Sequence, residues 1–525
     1  MRRAEVMRRA ERRAGRRPAL AALALGTLLA GCTAGPDYHR EVPPAPAAWH
    51  ASLPPAEAHA TTDALRPDWW NLYGDPVLSA LVSDVARANL DLKIASVRFQ
   101  QSTAERTIAR AARLPQVNLD ASYARERASP NGVMSLLGTS VNQSSGTIAS
   151  GQNGFGPVGL TSTTSQSQAF DLPQYGVSAS WEVDLWGHVR REMEVANANL
   201  RAAEDDRRAV LVSLMAEAAQ DYIALRAVQA QLALTRDHLA LARRSVALTG
   251  LRRAEGAASK LDEAEANGLL HGYEARLPAL EDEETHLVNA LSFLVGREPG
   301  ALRAQLASPR AIPPVPAQLP VGLPSDLARR RPDVRAAEEK LHAATASIGV
   351  AVAEFYPRLT LSGSLDMQAL QWGDLASWSS RQYGMGPAIS FPLFQGGRLK
   401  GQVRLRRAQQ KEAAITLQRT LLKAWQEIDD AMADLASAQR ARERLEAAVG
   451  ENRVALDVAQ KQYAQGAGDF LHVLTMQNAL LASQSAEVNA SANVSTAAAR
   501  LYRALGGGWE ATYPEAAGSP RPKAG

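Results

Sequence analysis

The chain has 525 residues, with 58 Lys and Arg, 54 Asp and Glu, and one cysteine. A single cysteine excludes an intrachain disulfide and any cysteine-cluster metal site. The formal charge of +4 invites a nucleic-acid reading, but residues 1–31 hold eight arginines and two glutamates, leaving 50 basic against 52 acidic residues, a net of −2. The basic excess belongs to the leader and not to a binding face, so no nucleic-acid partner is expected.

Residues 1–31 are Arg-rich, then apolar from Ala19 to Ala30, and run into Leu29-Ala30-Gly31-Cys32. A basic start, a short apolar run and small residues before a cut describe a secretory signal. Twelve apolar residues are too few for a spanning helix. The Leu-Ala-Gly-Cys tetrapeptide resembles a bacterial lipobox, which implies cleavage before Cys32 and acylation of that cysteine, with palmitate among the chains. The alternative is a secretory signal that happens to end beside a cysteine. Thr33 rather than Asp follows Cys32, and resemblance to lipoprotein sorting then implies the outer membrane. Met7 serves as a start as well as Met1. Two or three acyl chains anchor stably, each buried CH₂ contributing about 0.8 kcal/mol.

The chain repeats itself, a feature to be sought before any element is assigned. A shift of 242 lays residues 91–122 over 333–364, matching Asp91 with Asp333, Pro115 with Pro357 and Leu119 with Leu361. A shift of 210 lays 254–296 over 464–506, matching Gly256 with Gly466, Leu261 with Leu471 and Gly296 with Gly506. The offsets differ by 32, so the first half carries an insertion of that net length. It is the uncharged Ser, Gly, Thr and Asn-rich stretch from Ala128 to Phe170, which reads as a loop. The Pro-rich stretch Ser308 to Pro324 joins the halves.

Four segments alternate with period two. Near 115–127, Val117, Leu119, Ala121 and Tyr123 alternate with Gln116, Asn118, Asp120 and Ser122. Near 174–186, Tyr175, Val177, Ala179, Trp181 and Val183 alternate with Ser178, Ser180, Glu182 and Asp184. The same pattern marks strands near 357–368 (Leu359, Leu361, Leu365, Met367) and 383–393 (Tyr383, Met385, Ile389, Phe391). Each is about ten residues long, the length of a tilted membrane-spanning strand, and alternation of this kind marks a water-filled barrel. A soluble antiparallel sheet with one wet face would alternate too. The secretion signal favours the membrane. Four strands cannot close a barrel and open edges are not tolerated in lipid, so several copies must share one wall.

Two stretches, about 188–253 and 398–465, lack proline and are rich in Ala, Leu, Arg, Glu and Gln, which predicts helices too long for one globular core. Each breaks at a matched glycine, Gly256 or Gly466, with Ser259 and Asp469 as predicted N-caps of a returning helix. Each half is then predicted to hold a hairpin of two long helices with the break at its far tip. A solvent-exposed stalk or adhesin would explain the helices but not the strand pairs that precede them.

Taken in order, these features resemble the outer membrane factor family, TolC-like and NodT-type efflux lipoproteins. The resemblance rests on Gly35-Pro36-Asp37-Tyr38, Trp69-Trp70, Asp75-Pro76, Asn89-Leu90-Asp91-Leu92, Gly322-Leu323-Pro324-Ser325-Asp326-Leu327, Arg330-Arg331-Pro332-Asp333, Phe355-Tyr356-Pro357, Pro392-Leu393-Phe394-Gln395-Gly396-Gly397 and Ala504-Leu505-Gly506-Gly507-Gly508-Trp509. It implies a mainly α chain with membrane β: a trimer whose strands form a 12-stranded outer-membrane barrel, continued by a periplasmic α-helical barrel. The implied layout is a signal peptide at 1–31, a lipid-anchored and equatorial segment at 32–90 and a first repeat at 91–300. That repeat holds a helical hairpin near 188–296 and its tip near 253–262. A linker and equatorial segment follow at 301–332, then a second repeat at 333–506 with a hairpin near 398–505 and a tip near 463–472, and a tail at 507–525.

The implied partners are two further copies, outer-membrane lipid, a periplasmic adaptor and an inner-membrane pump of the RND type. The implied role is that of a passive duct without cofactor or catalysis. The alternatives are the duct of a type I protein secretion system and a non-conducting coiled-coil lipoprotein. Family gates place acidic residues six and nine positions after the tip glycine. Asp262 and Glu265 occupy those positions after Gly256, whereas His472 and Thr475 replace them after Gly466. Rings of Asp262 and Glu265 would favour cations near a constriction. Tyr463 and Leu471 match the apolar tip residues of the family, and a ring of His472 would make closure pH-sensitive. Gly154-Phe155-Gly156-Pro157-Val158-Gly159 fits a dinucleotide fingerprint by letter only, since no helix follows and Pro157 interrupts it. Asp429-Asp430 and Glu281 to Glu284 read as solvated helix faces.

Overall fold

The computed structural model describes residues 33–40, 59–61, 66–127, 169–315, 318–320 and 330–514. Cys32, the loop at 128–168, the segment 321–329 and the tail after 514 lie outside the described residues. The chain divides into two compact units, one drawn from residues up to 34, 108–191 and 349–400, the other from 35–107, 192–348 and 401 onward.

The first unit carries one antiparallel sheet of four strands, β1 Gln116–Glu126, β2 Phe170–Val183, β3 Arg358–Gln368 and β4 Arg381–Ser390, lying side by side in chain order. Residues directly paired across strands share a face. One face holds the rows Val117–Ala179–Gly363–Met385 and Leu119–Val177–Leu365–Tyr383. The other holds Asn118–Ser178–Ser364–Gly384 and Asp120–Gly176–Asp366–Gln382. The sequence alternation is thus in register across all four strands. The apolar face is bare: Leu119 is 76%, Met385 87% and Ile389 73% exposed. Gly176 lies between two carboxylates, and a Cβ there would collide with Asp366. β2 starts at Phe170, earlier than its alternation indicates, because Asp171 and Leu172 extend the ladder to Arg125 and Ala124. It ends at Val183 because the next carboxylate, Asp184, turns to accept from the backbone N–H of Arg190, 2.9 Å away. At the same end Trp186 stacks on Tyr356 at 5.0 Å and donates to the Pro357 carbonyl at 2.9 Å.

The α-helices longer than one turn are α1 Pro76–Ala88, α2 Leu90–Ala111, α3 His188–Ala254, α4 Lys260–Glu274, α5 Leu277–Leu294, α6 Pro332–Ala353, α7 Arg398–Ala464 and α8 Phe470–Leu505. Helices α3 and α7 have 67 residues each, about 100 Å at 1.5 Å per residue. Among the described residues no helix is long and apolar enough to cross a membrane. The second hairpin returns through one helix of 36 residues. The first does not, which differs from the two-helix hairpin expected of both halves. Its return is α4 and then α5, because Pro278 sits at the start of α5, lacks an N–H and sterically excludes the helical approach of the Glu274 carbonyl. The second repeat carries Val488 at the matching place.

The core of the second unit gathers Trp69, Tyr73, Leu78, Leu81, Leu211, Tyr222 and Tyr502, all 2% exposed or less. Trp69 stacks on Tyr502 at 5.1 Å. Trp509, just beyond α8, is held between the guanidinium groups of Arg208 and Arg335, 4.5 and 5.1 Å from its ring. Both arginines pair with buried Asp205, at 2.7 and 3.1 Å. Arg331 donates to the Ala504 carbonyl at 2.6 Å and pairs with Asp333 and Glu427 at 2.7 Å each. This ties the end of α8 to α6 and α7. Gly506 ends α8 at φ 71°, and a Cβ there would stand 2.6 Å from Arg331 Cγ. Gly506→Ala should cost about 1–3 kcal/mol through left-handed strain and the displaced arginine. A thermal melt of the detergent-solubilised protein reads this as a lower midpoint, and an unchanged midpoint contradicts it.

Candidate functional site

Both helical tips are built by the same local chemistry. Gly256 and Gly466 adopt φ 76° and 75°, the left-handed conformation that lets each long helix stop. Ser259 opens α4 with a capping box: its hydroxyl accepts from the Asp262 N–H at 3.1 Å, and the Asp262 carboxylate accepts from the Ser259 N–H at 2.7 Å. Asp262 is therefore engaged in starting the helix. Asp469 caps α8 by accepting from the Leu471 N–H at 3.3 Å. The Thr475 hydroxyl donates to the Leu471 carbonyl at 2.8 Å, and His472 is exposed.

The two tips share one apolar core, in which Ala266 of α4 packs with Val449, Leu456 and Ala459 of α7 and Phe470, Val473 and Leu474 of α8. A groove of about 390 Å³ opens between α4 and α8, lined among others by Glu265, Gly268, Gly272, Leu471, Leu474 and Thr475. Three of the sequence-predicted tip residues, Glu265, Leu471 and Thr475, thus meet at one groove. Asp262 and His472 do not line it, and Tyr463 lies on the other side of the turn, tilted against Phe470 at 5.2 Å.

Sequence reasoning missed Arg252. From the last turn of α3 it donates to the carbonyls of Tyr463 and Ala464 at 3.1 and 3.3 Å, and its guanidinium lies 4.3 Å from the Tyr463 ring centroid. These carbonyls end α7, where the helix dipole is negative, so a cation there caps one tip from the other. Its neighbour Arg253 pairs with Glu263 across the first turn. Both arginines precede Gly256 on an otherwise regular helix, and nothing in the spacing tells a bracing arginine from a solvated one.

A second cluster fixes the chain soon after the predicted lipid site. Tyr38 stacks on His342 of α6 at 4.4 Å, and Arg40 pairs with Glu338 at 2.6 Å. His342 meets Glu194 of α3 at 2.8 Å and Glu339 at 3.6 Å, and Arg201 pairs with Glu339 at 2.9 Å. Burial disfavours the imidazolium, but hydrogen bonds and charge from Glu194 and Glu339 outweigh it and raise the His342 pKa to about 9. Burial likewise opposes the charged form of Glu339, but His342 and Arg201 overcome it and lower its pKa. The folded-state pKa of His342 lies above its unfolded value. Its stabilisation is therefore complete below about pH 6.5 and is lost as the pH rises through about 9. The melting difference between wild type and His342→Gln should be large at pH 6 and small at pH 10. Equal differences at both pH values contradict this.

An antiparallel sheet with one bare apolar face, joined by chain continuity to helices of 67 residues, is the architecture of outer-membrane channels. Residues 81–297 and 323–507 match the outer membrane efflux protein family, and the chain belongs to it. It is similar to the outer membrane protein OprJ of Pseudomonas aeruginosa, 31% identical over 497 residues that cover 94% of this chain and 97% of that protein. It is 30% identical over 488 residues to the toluene efflux pump outer membrane protein TtgC of Pseudomonas putida, covering 92% and 94%. Of solved structures, the outer-membrane channel OprN aligns with a TM-score of 0.79 at 30% identity over 91% of this chain and 100% of that one. VceC of Vibrio cholerae aligns with a TM-score of 0.72 at 27% identity, over 85% and 100%.

Proposed function

We propose that the protein is a passive, lipid-anchored trimeric duct. It would carry substrates across the periplasm and outer membrane from an inner-membrane pump and its periplasmic adaptor. The observation that carries this reading is the sheet: four strands, one largely exposed apolar face, one polar face, and outer edges on β1 and β4 that pair with no further strand among the described residues. An open edge in lipid leaves backbone groups unsatisfied, so the edges must pair with those of other copies. Three copies give twelve strands, with the polar rows inside and the apolar rows toward lipid.

The internal repeat supports the same assembly in the helical unit. Within the chain α6 packs on α3 through Arg201–Glu339 at 2.9 Å and Lys340–Asp206 at 3.0 Å, and Ala336 and Ala346 are buried. Under the shift of 242, α2 is the counterpart of α6, yet it leaves Leu90, Ile94 and Val97 about half exposed at helical spacing. Under the shift of 210, α7 is the counterpart of α3, yet it leaves Leu405, Ile415 and Leu422 about half exposed. Each chain thus carries both halves of a contact that it makes only once internally. A head-to-tail ring of copies supplies the missing one. Carried through both shifts, Arg201 and Glu339 become Lys411 and Val97. A Val97→Cys, Lys411→Cys variant treated with a short bis-maleimide should give dimer and trimer bands. A monomer band alone would overturn this packing.

The position of the chain after Cys32 supports the lipid anchor. The Ala34 N–H donates to the Trp186 carbonyl at 2.9 Å and the Ala34 carbonyl accepts from Arg191 at 3.2 Å, at the end of the sheet from which α3 departs. Acyl chains on Cys32 would start one residue before Thr33, beside the membrane boundary. At the tips, three-fold repetition would give rings of Asp262, Glu265 and His472 around a constriction, with Tyr463 and Leu471 closing it and Arg252 bracing it. Conductance in planar bilayers tests the reading. The wild type should show small, cation-preferring events, and Arg252→Ala should open the tip and raise conductance several-fold. Absence of any conductance from wild type and variant points instead to a structural lipoprotein.

A further inference from the structure

We propose that the outward face of the barrel carries a binding site for a phosphate-bearing lipid headgroup, built by Arg381 and Trp378 at the end of β4 opposite the one that leads into α7. This rests on the outer-membrane duct reading above. The register places Arg381 in the row Ala121–Tyr175–Met367–Arg381, on the apolar face of the sheet. Along β4 the same face continues through Tyr383, Met385 and Ile389, all strongly exposed, and past the strand to Phe391.

A cation in such a column is costly at mid-membrane and tolerable only near a boundary. From Arg381 to Phe391 the strand extends about 33 Å, or about 25 Å along the membrane normal at a tilt of about 40°, the height of a barrel's apolar band. Arg381 therefore stands at the headgroup level of the leaflet away from the helices, with Phe391 at the opposite boundary.

The local geometry leaves the cation available. The Arg381 guanidinium donates to the Trp378 carbonyl at 2.7 Å and lies 4.7 Å from the Trp378 ring centroid. No carboxylate pairs with it among the described residues. On the same face near this end, Arg125 is offset by Asp171, 3.8 Å away, which also accepts from the Tyr123 hydroxyl at 2.8 Å. Trp378 is 68% and Trp372 62% exposed, and Trp372 stacks on Tyr123 at 5.6 Å. Indole rings settle at headgroup depth. The one hydrogen bond that Arg381 makes to Trp378 uses a single guanidinium nitrogen, and the planar fork matches phosphate oxygens. In the outward leaflet of an outer membrane the fitting ligand is a phosphorylated glycolipid.

The mature protein in detergent, incubated with bis-phosphorylated lipid A, with dephosphorylated lipid A and with phosphatidylethanolamine, tests this by native mass spectrometry. The wild type should retain the phosphorylated lipid about fivefold better than the dephosphorylated one. Arg381→Gln should abolish that ratio and Arg381→Lys should keep part of it. Equal retention of both glycolipids by the wild type overturns the site without recourse to any variant, as does an unchanged ratio in Arg381→Gln. Conductance of the same samples separates the two readings. A conducting protein with no phosphate preference overturns this site alone, whereas a non-conducting one overturns the duct.

Discussion

A β-sheet whose apolar rows share one largely exposed face, and whose two outer strands pair with no further strand among the described residues, leaves two demands unmet. Burial of that face is worth about 25 cal/mol per Å², and each unpaired backbone group in lipid costs several kcal/mol. Both demands are met at once if copies join edge to edge in a bilayer. The polar rows then line water, where Asp120 and Asp366 flank Gly176 without paying for desolvation.

The helical unit solves the companion problem of keeping long rods in register. Its two repeats are similar in sequence but unequal in burial: α6 is enclosed within the chain, while α2, its counterpart, exposes an apolar stripe. The contacts around Trp509, Asp205 and Arg331 join α3, α6, α7 and the end of α8 to one another. At the tips a shared apolar core is supplemented by Arg252, which joins the end of α7 by two hydrogen bonds and a ring contact. The break between α4 and α5 at Pro278 makes the first return helix the less continuous of the two.

Much of this architecture is written locally. Period-two alternation marks all four strands, because the ladder register keeps the apolar rows on one face and the polar rows on the other. Glycine at 256 and 466 marked the tips, because only a left-handed residue ends a helix in that way. Other features depend on residues distant in the chain and leave no local trace. Pro278 was visible as a letter, but a repeat with Val488 in the same place masked its effect. The clasp of Tyr38 on His342 spans some 300 residues, the Arg252 brace spans 211, and the grip of Arg208 and Arg335 on Trp509 joins three separate elements. Asp262 was read as a gate carboxylate, while its position three residues after Ser259 equally specified the capping box that it forms. Arg381 lies at the end of an alternating pattern, where an arginine is unremarkable until the register shows which face it occupies.

The mass of the protein portion of the detergent-solubilised particle, measured by light scattering with the detergent contribution subtracted, tests the central claim most directly. Closure by identical copies requires three chain masses in a single species. A monodisperse particle of one chain mass, with the outer edges of β1 and β4 protected from amide exchange, would contradict it.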